Sequence, residues 1–378
     1  MKICLDYQPA VAQGAGIGRY TRLLARNLLP ALAPDETLRL FFCDFRRKAP
    51  PDPVPGAEAR AFRLLPGAVM QKLWTKLGAP AFDRFSGPAD VFHFTNFVAR
   101  PVRRGRVVVS IHDMSFERFP AFAEARSRAY LHANIARTVE RADAILTDSE
   151  FSKREIEELL PAARGRTHAT LLGISPDFRP APPERVAEAK AKLGLERPFL
   201  LDVGTVEPRK NLPFLVDFWE RIAAEGYDLV VAGAPGWRCE PVFARFAEAE
   251  RRFPGRFHYV NRVPDGLLDA LYTACSLFAI PSHYEGFGFP PLEAMACGAP
   301  VLSSDGGSLP EVLGGAAEIV RGFDADEWAA AALRLLREDP ASRAARIAAG
   351  RAHAATFTWE RCARATLDVY RSLRPPST

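Results

Sequence analysis

No run of about 18 apolar residues occurs in this 378-residue chain, so no membrane-spanning helix is expected. The N-terminus, Met1-Lys-Ile-Cys-Leu-Asp6, reads as a buried strand. It lacks the long apolar stretch and small-residue cleavage site of a signal peptide. The six cysteines (Cys4, Cys43, Cys239, Cys275, Cys297, Cys362) are scattered and form no CxxC pair. That argues against a zinc site and against a disulfide framework. Most sit among apolar neighbours as small core residues, which suits a reducing cytoplasm. Repeats and low-complexity segments are also missing.

Strong net charge is absent too: 50 Lys and Arg face 45 Asp and Glu, for +5. The balance is uneven along the chain. Residues 1–173 carry 26 basic against 18 acidic side chains, and the remainder 24 against 27. A basic N-terminal half would attract an anionic partner, a lipid diphosphate or an acidic membrane surface. The plainer alternative is a solvated Arg-rich surface. No aromatic-basic surface or motif points to nucleic acid.

What the chain does contain is alternation. Lys2–Leu5, Leu38–Phe42, Val91–Phe94, Val107–Ile111 and Ala144–Thr147 are short apolar runs, and amphipathic stretches such as Gly18–Leu29 and Arg126–Arg141 separate several of them. This pattern predicts βαβ units and a parallel sheet. Four prolines within Pro176–Pro183 then interrupt it. A second series follows, with strands at Phe199–Val203, Leu229–Ala232, Phe257–Val260, Leu277–Ile280 and Pro300–Ser303. The tail from Asp324 to Leu373 reads as helical. The length suits two domains. Two such α/β domains facing each other would form a cleft, with ligands at the carboxyl ends of the strands.

Three strand-to-helix loops carry candidate chemistry. Gln13-Gly-Ala-Gly-Ile-Gly-Arg19 spaces its glycines unlike a dinucleotide fingerprint, and alone fits a tight turn equally well. In Val203-Gly-Thr-Val-Glu-Pro-Arg-Lys-Asn-Leu212, Gly204 ends a strand, and Arg209 and Lys210 precede a helix. Two cations beside helix-terminal N–H groups make a cradle for a pyrophosphate. The richest segment is Glu285-Gly-Phe-Gly-Phe-Pro-Pro-Leu-Glu293. Gly286 and Gly288 free the backbone around Phe287 and Phe289 to approach a ligand. A carboxylate near a helix start is stabilised as an anion and accepts hydrogen bonds from hydroxyls. Helix-dipole stabilisation for Glu293 and solvation for Glu285 are simpler explanations, but they leave the glycines and aromatics unexplained.

The pair Glu285-x7-Glu293 with Gly-Phe-Gly between resembles the signature of the family 4 retaining glycosyltransferases. Supporting segments are Gly204…Glu207-Pro-Arg209-Lys210-Asn211, Asn261-Arg-Val-Pro264, Gly298-x-Pro300, Gly306-Gly-Ser-Leu-Pro-Glu311, Gly16-x-Gly18-Arg-Tyr20, Ser110-Ile-His112-Asp113 and Phe357-Thr-Trp-Glu360. The resemblance covers nearly the whole chain. It implies an α/β architecture of the GT-B type, two Rossmann-like domains with parallel sheets facing across a cleft. Residues 1–175 would be an acceptor-binding domain, 176–196 a linker and first helix, and 197–358 a donor-binding domain. The last helix, 359–378, would return to the first domain.

The resemblance also implies roles. Glu285 would lie near the donor sugar and Glu293 would hold the ribose. The backbone of Gly286, Phe287, Gly288 and Phe289 would meet sugar and phosphate. Arg209 and Lys210 would grip the diphosphate beside Gly204, with Gly16 in a closing N-terminal loop. His112 would stand near the sugar, and Arg262 and Val263 would meet the base. The implied activity is a hexosyltransferase. Its donor would be a nucleotide diphosphate sugar, with GDP-mannose leading on the likeness of His112–Pro120 to bacterial mannosyltransferases of polysaccharide assembly. No cofactor and no metal are expected, because the one DxD triplet, Asp324-Ala-Asp326, opens a helix and is explained by capping. The acceptor would be a glycan or a lipid-linked saccharide. The stretch Phe62–Leu77 mixes apolar and basic residues and fits either a peripheral membrane contact or an ordinary core-facing helix. The alternatives are a UDP-sugar-dependent transferase, a nucleotide-sugar epimerase of the same fold, and a non-enzymatic nucleotide-sugar-binding protein.

Overall fold

A computed structural model describes residues 1–14, 16–47, 54–264 and 266–373. The chain divides into two compact units: Met1–Gly173 with Thr358–Thr378, and Ile174–Phe357.

The first unit is built on seven strands: β1 Lys2–Asp6, β2 Thr37–Cys43, β3 Glu58–Phe62, β4 Val91–Phe94, β5 Arg106–Ser110, β6 Ala144–Thr147 and β7 Thr167–Ala169. They pair in parallel in the order β3-β2-β1-β4-β5-β6-β7. The central strands are apolar on both faces because helices cover both faces, the usual reason for unbroken Val/Ile/Leu/Phe runs in a parallel sheet. Phe82 gathers Phe41, Phe92, Phe94 and Trp74 within 6.1 Å between ring centroids. Such burial contributes about 1.5–3 kcal/mol per large side chain.

The helix Trp359–Ser372 returns to this unit. Residues 374–378, part of the expected 359–378 helix, lie outside the described residues. Trp359 packs on Tyr20, and Arg371 pairs with the buried Glu36 at 2.7 Å. Tyr370 Oη meets His93 Nδ1 at 2.6 Å, and His93 Nε2 meets Ser110 Oγ at 2.8 Å. His93 is completely buried, and burial pushes its ring down to about 3.

The second unit holds six parallel strands: β8 Phe199–Val203, β9 Asp228–Ala232, β10 Phe257–Val260, β11 Leu277–Ile280, β12 Val301–Ser304 and β13 Glu318–Val320, in the order β10-β9-β8-β11-β12-β13. Its core runs through the helices Leu212–Ile222 and Ala325–Leu336, where Phe218 and Trp328 lie 5.4 Å apart. The proline-rich stretch expected as a linker is fastened to this unit. Its helix Pro183–Leu193 packs through Ala189 on Leu267 and Ala270, and Arg185 pairs with Asp269 at 2.7 Å. Asp324, the first residue of the DxD triplet, accepts from the N–H groups of Asp326 and Glu327 and so caps a helix. Among the described residues no helix is long and apolar enough to cross a membrane.

The state of His93 sets a pH dependence. The unfolded ring takes a proton near its ordinary 6.5, while the folded ring refuses it until about 3. This group therefore stabilises fully above 6.5, and its contribution declines as pH falls below that. The slope approaches 1.4 kcal/mol per pH unit. Chemical denaturation between pH 6.5 and 5 should show it, and His93→Asn should flatten it. An unchanged slope in the variant contradicts the assignment.

Candidate active site

The richest cluster lies in the second unit, at the carboxyl ends of β8, β11 and β12. Each strand stops and a helix begins within a few residues, so each loop presents N–H groups and side chains on one edge of the sheet. After β8 the chain reaches Gly204, makes a single turn at Pro208–Lys210, and enters the helix Leu212–Ile222 through Asn211 at φ +53°. After β11 it passes Ser282 and Glu285 and enters the helix Phe289–Ala296 through Gly288 at φ +96°. A Cβ on Gly204 would stand 3.2 Å from Lys210 Cε, so glycine leaves the lysine its place.

Glu285 is the hub. Arg209 Nη1 donates to its Oε2 at 2.7 Å, and Lys210 Nζ and Ser282 Oγ both donate to Oε1 at 2.7 Å. Arg209 Nη1 also reaches the carbonyl of Tyr284, and Nη2 donates to Glu207 Oε1 at 2.6 Å. Glu285 is only 5% exposed. Burial alone would raise its carboxyl, but the Arg209 and Lys210 charges outweigh that and hold it at about 2. The side chain is therefore ionised at neutral pH and is no proton donor there.

The backbone of Glu285 is held as firmly. Ser308 N donates to the Glu285 carbonyl at 2.9 Å, and Ser308 Oγ donates to the same atom at 3.0 Å and to the Phe287 carbonyl at 3.2 Å. Gly307 bridges Glu285 at φ +68°, and a Cβ there would lie 2.4 Å from the Glu285 carbonyl oxygen. His283 N donates to the Arg209 carbonyl at 2.9 Å and ties the two loops together.

The other expected residues are distributed as follows. Gly286, Phe287 and Gly288 are buried beside Glu285, and the Phe287 ring packs on Phe289 at 5.2 Å and on Phe357 at 5.9 Å. Glu293, in the helix Phe289–Ala296, is 2% exposed and accepts from Tyr272 Oη at 3.1 Å. Arg262 is exposed after β10, and Val263 is half-buried against the Pro183–Leu193 helix cluster. Gly16 and His112 belong to the first unit. Gly16 caps the helix Ile17–Ala31 at φ +55°, with nothing within 4 Å of its absent Cβ. Ser308 joins the cluster from within the segment Gly306–Glu311, and Asp202, Tyr272 and Ser282 join it without having been singled out from sequence.

His112 follows β5 and is nearly buried. Its Nε2 lies 3.0 Å from the Thr95 carbonyl, and its Nδ1 lies 2.9 Å from Asp148 Oδ2. A carbonyl only accepts, so Nε2 carries a hydrogen, and Nδ1 faces a carboxylate. Burial lowers the ring's pKa, but Asp148 outweighs burial and raises it above its ordinary value. Both ring nitrogens are thus taken up by partners within the first unit, which fixes the orientation of the ring.

Residues 185–353 match the family described as glycosyl transferases group 1. The chain is 32% identical to the O-antigen chain mannosyltransferase B of Escherichia coli, across 99% of this chain and 100% of that one. It is 35% identical to the serotype-specific mannosyltransferase WbdA of Escherichia coli over 46% of this chain and 22% of the relative. Among solved structures, the sucrose-phosphate synthase of Thermosynechococcus elongatus superposes with a TM-score of 0.75 at 22% identity, covering 99% of both chains. That likeness places both units in one shared fold of two Rossmann-like domains.

Gly307 offers a sharp test of this construction. Gly307→Ala puts a Cβ against the Glu285 carbonyl in a backbone region that L side chains avoid. The expected result is a loss of about 1–3 kcal/mol of stability and a turnover loss exceeding that of the neighbouring surface substitution Asp305→Ala. Thermal melts and initial rates check this, and wild-type rates in Gly307→Ala contradict it.

Proposed function

The chain belongs to the glycosyl transferases group 1 family and is a glycosyltransferase, and from that premise we propose that it moves mannose from GDP-mannose, with retention, to a glycan or lipid-linked acceptor. One observation carries the donor site: Glu285 clamped by Arg209 and Lys210 at the carboxyl ends of β8 and β11.

Cleavage of the sugar–phosphate bond leaves a nucleoside diphosphate with growing negative charge. Lys210 carries three N–H donors and gives one to Glu285, and the Arg209 guanidinium sets a second fixed positive charge beside it, so both cations suit phosphate oxygens. Fixed cations at that place stabilise the leaving group without a metal. The sugar becomes cationic as the bond stretches, and the ionised Glu285 favours that charge. Because Glu285 stays ionised and held by two cations, its role is electrostatic positioning, and the acceptor hydroxyl gives its proton to the departing phosphate on the same face. Glu293, Arg262 and Val263 are assigned to the nucleoside. Mannose as the sugar rests on the full-length likeness to an O-antigen mannosyltransferase.

A peripheral contact with the inner face of the cell membrane belongs to the same proposal. The helix Gly67–Lys76 contains no acidic residue, and Leu64, Val69 and Leu77 are exposed alongside Arg63, Lys72 and Lys76. Apolar and basic side chains together suit an anionic bilayer surface. Vesicles rich in phosphatidylglycerol should sediment the protein, and the double variant Leu64→Asp, Leu77→Asp should stay largely in solution. Equal behaviour of the two proteins removes the contact from the proposal.

The donor is tested by thermal shift and by acceptor-dependent release of nucleotide. GDP-mannose should stabilise the protein more than UDP-sugars do, and the reverse ranking replaces the donor. Glu285→Ala should lose at least about a hundredfold in turnover (more than 2.7 kcal/mol of barrier) while nucleotide binding changes little. Lys210→Ala should weaken both. Wild-type turnover in Glu285→Ala defeats the assignment. Full activity in excess chelator supports the metal-free mechanism, and rescue by manganese after loss defeats it.

A further inference from the structure

Asp202 is the one acidic residue inside the apolar run of β8. Alternate residues of a strand share a face, so Asp202 points to the same side as Gly204. On that side the Lys210 ammonium stands 3.4 Å from where a Gly204 Cβ would be. Asp202 is 1% exposed, and its Oδ1 has no hydrogen-bond partner among the described residues. A buried carboxylate oxygen without a partner is costly, and protonation is the usual relief.

The charges around it define its state. Lys210 favours its ionised form, and Glu285 opposes it. Burial raises the carboxyl most, and the sum leaves it at about 7. The other facing elements contribute little. β11 has no ionisable residue, and Asp228 of β9 sits at the far end, bonded to Arg256 at 2.7 Å. Glu293 on the helix Phe289–Ala296 is bonded to Tyr272. On the helix Leu212–Ile222, Asp217 and Glu220 pair with Arg245.

Arg209 and Lys210 bring two positive charges to the cluster, and Glu207 and Glu285 two negative ones. With Asp202 protonated the cluster is neutral, and with Asp202 ionised it carries one net negative charge. An arriving diphosphate meets repulsion only in the second case. It also draws Lys210 toward its own oxygens and weakens the cation's hold on Asp202.

We propose that Asp202 is a proton-coupled positioning residue of the donor site, taking up one proton when a nucleoside diphosphate binds Arg209 and Lys210. Asp202 acts through Lys210 and touches no reacting atom. The inference rests on the donor-site assignment made above. A folded-state value above that of an ordinary Asp means the group gains protons in this protein at a pH where the unfolded chain has lost them. Diphosphate binding moves it further in the same direction. Affinity for the diphosphate therefore falls as pH rises above about 7, by up to about tenfold per pH unit.

Titration calorimetry tests this with GDP, UDP and inorganic pyrophosphate on the full chain, at several pH values from 6 to 8.5. Two buffers of different ionisation enthalpy report the protons exchanged. At pH 8 the nucleotide phosphates are already ionised and bring no proton of their own. The expected result is uptake of between about half a proton and one proton per bound nucleotide. In Asp202→Asn that uptake should disappear, and the affinity should become nearly flat with pH. A merely structural role lowers affinity without changing the proton count. Binding by the wild-type protein without uptake overturns the inference, as does equal uptake in a folded Asp202→Asn. If the variant does not fold, the wild-type count alone decides. Failure of GDP, UDP and pyrophosphate to bind at every pH overturns the donor-site assignment itself, and this inference with it.

Discussion

Two cations, a serine hydroxyl and two loops meet at one buried carboxylate. Glu285 receives Arg209 on one oxygen and Lys210 with Ser282 on the other, all at 2.7 Å. An ionised carboxylate in such a place is not there for stability alone, because replacing a buried ion pair by well-packed apolar residues is often neutral or stabilising. Removing one partner, in contrast, leaves a buried charge uncompensated and costs about 3–5 kcal/mol. The cluster is therefore locked against partial loss.

The rest of the second unit serves that arrangement. A parallel sheet brings the ends of β8, β11 and β12 to one edge, although 76 residues separate Arg209 from Glu285. Glycines occur where a side chain would collide: Gly307 lies against the Glu285 carbonyl, and Gly204 leaves room for Lys210. Ser308 then fixes two carbonyls of the same loop. Loop backbone so constrained cannot rearrange cheaply, which is the condition for electrostatic preorganisation. In the first unit, His112 is fixed by the same logic, with a carboxylate on one ring nitrogen and a carbonyl on the other.

Much of this was legible in the sequence. Ten of the strands appear as short apolar runs, the edge strand β10 among them through Phe257, Tyr259 and Val260, and the motif around Glu285 marks the loop that carries the site. β3, β7 and β13 left no such run. They are edge strands of three to five residues with exposed or half-exposed positions, so no apolar pattern is required of them. Residue types told that Arg209 and Lys210 suit a diphosphate. They could not tell that both cations turn to Glu285, since that contact spans a sheet. Asp148, 36 residues from His112, was hidden for the same reason. Asp202 was masked by the apolar run around it. The proline-rich stretch read as a tether, because proline content reports backbone restriction and says nothing of what the segment packs on.

The donor assignment depends on where the diphosphate sits, so a crystal structure of the chain with GDP-mannose tests it most directly. The account predicts phosphate oxygens within hydrogen-bond reach of both Arg209 and Lys210, with Glu285 retained beside the sugar. A diphosphate seated away from both cations contradicts it.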